Sequence, residues 1–468
     1  MPFQHITHVY LVGIGGIGMS GLARYFKQLG KQVAGYDKTA TPLTRKLQAE
    51  GMDISFSDKV KDIPAGFRGS DNIDHVLVIY TPAIPSAHEG LQFFRSEGYD
   101  MHKRAAVLGM ITSHHNTLAV AGTHGKTTTS SILAHLLQQA GLQPTAFIGG
   151  IMRNYQSNVL LSKDPTWMVV EADEYDRSFL QLNPYISVIT SLDADHLDIY
   201  GTASDMRLTY QAFAERLSEN GRLWVNHQAS TRELVHPNKV TYGLSPDADY
   251  HAGNVHIEQG HYVFDIIGPD MHIPSVTFHL PGHHNVENAI AAACVAYSIG
   301  IEEDIIRDGL ATYQGVKRRF EYVVKSQPMV YIDDYAHHPS ELNACIRAAR
   351  DFYPERKITG IFQPHLFSRT RDFMEGFAES LSALDCLILL DIYPARELPI
   401  DGITSSALLE KVHISNKMLC TKEAAVEKAI DSGSDLILTL GAGDIDELVD
   451  RLRDAICEKF CLEKEDAA

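Results

Sequence analysis

Two short stretches of this chain carry residues whose types and spacing fit the binding of phosphate anions. Residues 121–129, AGTHGKTTT, follow the apolar run TLAV and lead into SSILAHLLQQAG. Gly122 and Gly125 let the backbone curl so that successive N–H groups face one anion. Lys126 supplies a point charge for β- and γ-phosphates, and the Thr127 hydroxyl is a hard oxygen donor suited to Mg²⁺. The following helix adds its positive N-terminal end. The spacing is Gly-x-x-Gly-Lys-Thr, a shortened phosphate loop, because Val120 stands where the longer pattern has its first glycine. The second stretch, LVGIGGIGMSG at 11–21, holds Gly13-x-Gly15-x-x-Gly18 directly after HVYLV. That spacing fits a strand turning into a helix whose N-terminus takes a diphosphate. Asp37 lies 19 residues past Gly18, at the end of KQVAGYD, where an acid can hydrogen-bond a ribose. An oxidoreductase needs one dinucleotide loop and no triphosphate loop. A kinase or ligase takes ATP on one domain and can hold a nucleotide-linked substrate on another.

Acids cluster after the lysine loop. Glu171 ends TWMVVE and is the first candidate for the magnesium carboxylate, with Asp173, Glu174, Asp193 and Asp195 as nearby alternatives. His196 ends SVITSLDADH; taken alone, a histidine there reads as structural or solvent-facing. The histidine pairs at 114–115, 283–284 and 337–338 do not make a zinc motif, because no HExxH occurs and no cysteine joins them at ligand spacing. All six cysteines fall at or after Cys294 and no CxxC is present, as expected for free thiols in a reducing compartment.

These residues need elements to position them. The first ~110 residues read as βα units with strands at HVYLV, KQVAGYD and HVLVIYTPAI and a helix near Met19–Leu29. A second strand-loop-helix begins at Asn116. WVNH, VTYGL, HYVFDII and VTFHL read as an antiparallel excursion, and PGHHNVENAIAAACVAYSIG as a long buried helix. From about Val316 four further strand-loop units follow, at MVYIDDY, KITGIFQ, DCLILLD and DLILTLG. The fold class is therefore α/β, with a Rossmann-like first domain (1–110), a central ATPase-type domain (111–316) and a Rossmann-like α/β last domain (317–468). The net charge of −18 opposes nucleic acid and anionic membranes. No apolar run is long enough to span a bilayer, and the first residues run into a strand without a basic leader. A cytoplasmic protein, monomeric or homodimeric, is expected.

VGIGGIGMSGLA, AGTHGKTTT, EADEYDRSF, TSLDADHLD, PGHHNVENA, GVKRRFE, DDYAHHP and FQPHLFSRTRDF, in this order, resemble the Mur ligases, the ATP-dependent amide-forming enzymes of peptidoglycan synthesis. The resemblance covers nearly the whole chain. It implies that L-alanine is joined to the lactyl carboxylate of UDP-N-acetylmuramate through an acyl phosphate, with ATP and two Mg²⁺ ions. Alternatives are a sister ligase that attaches a preformed peptide, an NAD(P)-dependent oxidoreductase, and a nucleotide-gated binding protein.

Carried over by position, Gly122, Thr123, His124, Gly125, Lys126, Thr127 and Thr128 hold ATP, joined by Asn285, Asn288, Arg319 and Asp334. Thr127, Glu171 and His196 bind metal, and Lys126, Glu171 and His196 form the catalytic set. Gly13, Gly15, Gly16, Ile17, Gly18, Met19, Ser20 and Asp37 take the UDP substrate. His338, His365, Arg369 and Arg371 take the amino acid. Two departures stand out: Leu366 occupies a position that is often Arg in the family, and Thr81-Pro82 replaces Ser-Ser. No lysine lies between His196 and Lys239, so a carbamylated lysine of the kind used by sister ligases is absent.

Overall fold

Apolar strands build three sheets, and both phosphate-loop candidates sit at the carboxyl end of a strand, Gly13 after His8–Val12 and Gly122 after Asn116–Ala121. The computed structural model describes residues 3–193, 195, 197–229, 234–395 and 397–462. The chain divides into two units. One comprises Met1–Gly253, Asp265–Val276 and Glu287–Tyr313, and the other Asn254–Phe264, Thr277–Val286 and Gln314–Ala468.

The leading sheet contains β1 (His8–Val12), β2 (Gln32–Tyr36), β3 (Asp53–Ser55), β4 (Val76–Tyr80) and β5 (Asp100–Lys103), in the order β3-β2-β1-β4-β5. Every neighbouring pair is parallel. Val9 to Val12 are buried on both faces, as a strand covered by helices requires. The helix Ile17–Gln28 buries Met19, Leu22, Ala23 and Phe26, an i, i+3, i+4, i+7 stripe.

The central sheet holds β6 (Asn116–Ala121), β7 (Thr145–Met152), β8 (Ser157–Leu160), β9 (Trp167–Glu171), β10 (Ile186–Ile189), β11 (Arg222–Asn226), β12 (Lys239–Gly243), β13 (Tyr250–Glu258), β14 (His261–Ile267) and β15 (His272–Phe278). Their order is β15-β14-β13-β12-β11-β10-β6-β9-β7-β8. Strands β13 to β15 divide between the two units. The antiparallel excursion begins later than the sequence suggests. WVNH and VTYGL form β11 and β12, which continue the parallel ladder from β10. The segment between them is long enough to return the chain for parallel pairing. The reversal comes at Gln259 and Gly260, both at positive φ in a two-residue connection between β13 and β14. β7 and β8 form an antiparallel hairpin at the opposite edge, which the sequence reading did not include.

The last sheet contains β16 (Glu321–Lys325), β17 (Val330–Asp334), β18 (Ile358–Phe362), β19 (Cys386–Leu389), β20 (Lys417–Leu419) and β21 (Leu436–Leu440). The order is β16-β17-β21-β18-β19-β20, with β16 antiparallel and the other pairs parallel. β17, β18, β19 and β21 are the four strands expected from the sequence. All six cysteines are unpaired. Among the described residues no helix is long and apolar enough to cross a membrane.

The helix Lys126–Gln139 is buried from Thr127 through Leu137, so its polar residues need internal partners. Ser131 meets the Tyr313 hydroxyl at 2.5 Å. His135 pairs through Nδ1 with the Tyr155 hydroxyl (2.7 Å) and through Nε2 with Thr312 Oγ1 (3.1 Å). Burial pushes the His135 imidazole down to about 4. The native state thus prefers neutral His135, while the unfolded chain takes a proton below about pH 6.5. Stability from this group is complete above that pH and falls as pH drops through 4, by roughly 3 kcal/mol in all. We expect the wild-type Tm to fall more steeply between pH 6.5 and 4 than that of His135→Gln. Parallel Tm profiles would show that His135 does not carry this dependence.

Candidate active site

The lysine loop takes its shape from glycine backbone and from the neighbouring strand. Gly122 has φ +128 and Gly125 φ +81, conformations that L side chains rarely adopt, and Gly125 caps the helix Lys126–Gln139. His124 N donates to Ser191 Oγ (2.8 Å), and Thr123 Oγ1 donates to the carbonyl of Asp193 (2.8 Å). These bonds fasten the loop to the segment after β10.

Lys126 folds back into its own loop. Nζ donates to Gly122 O (2.7 Å) and Thr123 O (3.2 Å) and pairs with Glu174 Oε2 at 2.8 Å. The Lys126 side chain is 14% exposed and that of Glu174 1%. Burial alone would lower the ammonium, but Glu174, Glu171 and Asp173 outweigh it and hold Lys126 above its ordinary value. Burial raises the Glu174 carboxyl, and Lys126 pulls it partly back, to about 7.

Thr127 and Glu171 come together as the sequence suggests. Thr127 Oγ1 donates to Glu171 Oε1 (3.0 Å), and Gly149 N donates to Oε2 (2.8 Å). A hydroxyl and a carboxylate beside a phosphate loop are the hard oxygen donors that Mg²⁺ takes, with phosphate and water completing its shell. Among the described residues no group of three or more His, Cys, Asp or Glu converges as a metal cluster. That donor set fits magnesium shared with a nucleotide better than a protein-caged ion. His196, the other expected metal residue, lies outside the described residues.

Asn288 reaches the lysine loop: its Oδ1 accepts from Thr129 Oγ1 (3.0 Å), and a Cβ on Gly125 would lie 2.6 Å from it. Asn285 donates from Nδ2 to Pro281 O (2.7 Å).

The leading loop opens onto the same cavity as Glu171. Gly13 has φ +92, and Gly15 N donates to Asp37 Oδ2 (2.8 Å), so Asp37 fastens the loop as well as facing the cleft. The cleft, of about 540 Å³, is lined by Gly13, Gly16, Ile17, Gly18, Met19 and Asp37 at one end and by Gly149, Glu171 and Asp173 at the other. Arg104, which the sequence reading missed, also lines it. Its Nη2 lies 3.4 Å from Asp173 Oδ2, and a Cβ on Gly18 would lie 2.8 Å from its Nη1. The available signal was position: Arg104 opens the helix Arg104–Thr112 immediately after β5, at the carboxyl edge of a parallel sheet.

In the second unit, Asp334 Oδ2 accepts from Phe320 N (2.6 Å) and Oδ1 from Ala336 N (2.7 Å). Burial raises its carboxyl, against the pull of Arg319, to about 6. The Arg319 guanidinium lies over the Tyr335 ring, 5.2 Å from its centroid. His365 stacks on Tyr393, with ring centroids 5.6 Å apart. His338 caps the helix Pro339–Phe352, its Nδ1 accepting from Ser340 N. Arg369 is buried, whereas Arg371 is exposed and pairs with Asp372 at 2.7 Å. Two residues apart on one helix, these arginines point to different sides and do not form one carboxylate fork. Leu366 sits at φ +70, an unusual backbone position for leucine.

Three family models match the chain: "Mur ligase family, catalytic domain" over residues 8–116, "Mur ligase middle domain" over 120–296, and "Mur ligase, glutamate ligase domain" over 318–443. The chain is 48% identical over 460 residues to a UDP-N-acetylmuramate–L-alanine ligase of Flavobacterium johnsoniae, covering 98% of this chain and 100% of that one. It is 47% identical over 462 residues to the enzyme of the same name from Parabacteroides distasonis, covering 98% and 99%. A crystal structure of UDP-N-acetylmuramate-alanine ligase MurC from Thermotoga maritima superposes with a TM-score of 0.82 at 25% identity, covering 97% and 99%.

Removing Lys126 should leave Glu174 without its cation and raise its carboxyl further. Glu174 already sits above the usual carboxylate range, so its stabilisation is complete below about pH 4.5 and is lost as pH rises through 7. Lys126→Met moves that window upward. We expect a loss of about 3 kcal/mol at pH 8, the scale for a buried pair that loses one member. The deficit should shrink at pH 6, where Glu174 carries less charge. Thermal unfolding at the two pH values measures it, and an equal deficit at both would contradict the pairing.

Proposed function

This chain belongs to the Mur ligase family, and from that premise we propose how its residues divide the reaction. It is an ATP-dependent ligase that joins L-alanine to UDP-N-acetylmuramate. Attachment of a preformed peptide is not favoured, since eight relatives at 43–48% identity are named as alanine ligases. An oxidoreductase would leave the lysine loop without a role.

The observation that carries our assignment is the single cleft running from the leading glycine loop to Glu171 and Asp173. A uridine diphosphate on the leading loop points its sugar toward the lysine loop. Backbone N–H groups at the helix N-terminus Ile17, together with Arg104, take the diphosphate, while Asp37 keeps the loop in shape. Lys126 gives up Glu174 and neutralises the transferring phosphoryl group of ATP. Thr127 and Glu171 would hold magnesium, which when bound would offset phosphate charge. The lactyl carboxylate attacks the γ-phosphorus, ADP leaves, and the acyl phosphate forms. The alanine amine then attacks the acyl carbon, and inorganic phosphate departs.

We assign residues 1–110 to the UDP substrate, 111–316 to ATP, and 317–468 to the amino acid and to further contacts with ATP through Arg319 and Asp334. Asn285 and Asn288 serve the nucleotide, and His338, His365 and Arg369 the amino acid. Nucleotide substrates and six unpaired thiols suit the cytoplasm.

Phosphate release should require UDP-N-acetylmuramate, L-alanine and ATP together, and omission of any one should silence it. Lys126→Met should lower kcat by roughly 10³-fold. Arg104→Ala should raise the KM for UDP-N-acetylmuramate about tenfold or more while ADP affinity stays unchanged. A wild-type KM in Arg104→Ala would remove that residue from the substrate site.

A further inference from the structure

The hairpin of β7 and β8 does more than close the edge of the central sheet. Asn158 on β8 is 1% exposed, and its side chain reaches the leading domain. Its Nδ2 donates to Ile17 O (2.6 Å), in the first turn of the helix that follows the leading glycine loop, and to Ser20 Oγ (3.1 Å). Its Oδ1 accepts from Arg24 Nη1 (2.6 Å). Arg24 is held in turn by Glu50, through Nε (2.8 Å) and Nη2 (2.8 Å). Ser20 Oγ donates to the same Ile17 carbonyl (2.8 Å). The close approach depends on Gly21, where a Cβ would lie 3.3 Å from Phe147 on β7.

The same hairpin grips the other end of the cleft. β7 carries Gly149, whose N–H holds Glu171, and β8 pairs with β7 at Phe147↔Val159, beside Asn158. A short continuous path therefore runs from Ile17 O through Asn158, along the hairpin, to Glu171 and Thr127. Asn158 hydrogen-bonds through its side chain to Ile17, Ser20 and Arg24 of the leading domain, so an edge strand of one domain sets the position of the other domain's anion loop.

We propose that Asn158 is a positioning residue: it fixes the separation between the loop that takes the substrate diphosphate and the carboxylate beside the ATP loop. This inference rests on the function proposed above. Phosphoryl transfer to a carboxylate needs the two reactants within van der Waals reach and in line, and an error of an ångström costs orders of magnitude in rate. Asn158 also lines the cleft; in this role it acts through Ile17 and the helix behind the loop.

Asn158→Asp separates positioning from folding. The aspartate keeps an acceptor for Arg24 but has no N–H for Ile17 O or Ser20, and its charge repels the Ile17 carbonyl. We expect its Tm to stay within a few degrees of wild type and its Kd for ADP within about twofold, while kcat/KM for UDP-N-acetylmuramate falls at least about tenfold. Asn158→Ala, scored the same way, decides the matter if the aspartate variant does not fold. Wild-type kcat/KM in the variant that folds would overturn the proposal. So would a loss of ADP affinity equal to the loss of kcat/KM, because that marks general damage. Wild-type enzyme assayed alongside keeps the two inferences apart: its silence on the three substrates would strike the proposed function, whereas a fully active variant strikes only the role of Asn158.

Discussion

A lysine that is mostly buried needs an anion beside it, and the pairing of Lys126 with Glu174 is the constraint on which the lysine loop depends. Desolvating an isolated ammonium costs several kcal/mol, so the loop can hold its lysine in place only with a partner of opposite charge. Glu174 is kept there by the segment that follows it. Asp176 and Arg177 both adopt positive φ, and the Tyr200 hydroxyl donates to the Glu174 carbonyl at 2.5 Å. In a chain with a net charge of −18, Arg104 supplies a cation to the cleft that the leading glycine loop shares with Glu171 and Asp173, while Lys126 is held beside Glu174.

Much of the architecture was legible because its signals are local. HVYLV followed by spaced glycines, and TLAVA followed by Gly-x-x-Gly-Lys-Thr, each combine a buried strand, a turn and a helix start within a few residues. The four strands of the last region were readable for the same reason. The direction of β11 and β12 was not, because alternating patterns describe the faces of a strand and not its neighbour. β7 was hidden by Gly149 and Gly150 within TAFIGGIM, where a reader of propensities expects a break. The structure instead uses Gly149 to bring its backbone against Glu171.

Side-chain meetings across long sequence distances were the least readable. Thr127 and Glu171 could be guessed because both follow strands of one parallel sheet. Arg104 and Asn158 could not, since each acts on an element more than 80 positions away, Gly18 and Ile17 respectively. In the second unit, counting arginines in FSRTRDF overlooked helical geometry: one guanidinium goes inward and the next outward. Leu366 at positive φ marks the bend where β18 turns into that helix, so the departure from arginine falls at a conformationally demanding position.

The strand order of the central sheet has a bearing on biosynthesis. β6 is flanked by β9 and β10, both encoded well downstream of it. On a ribosome the lysine turn emerges before either flank exists, and distant parallel pairing is slow to close. Acquisition of ATP affinity by a nascent or refolding chain would therefore time the completion of the middle sheet, whereas the leading sheet, finished by residue 103, can close much earlier.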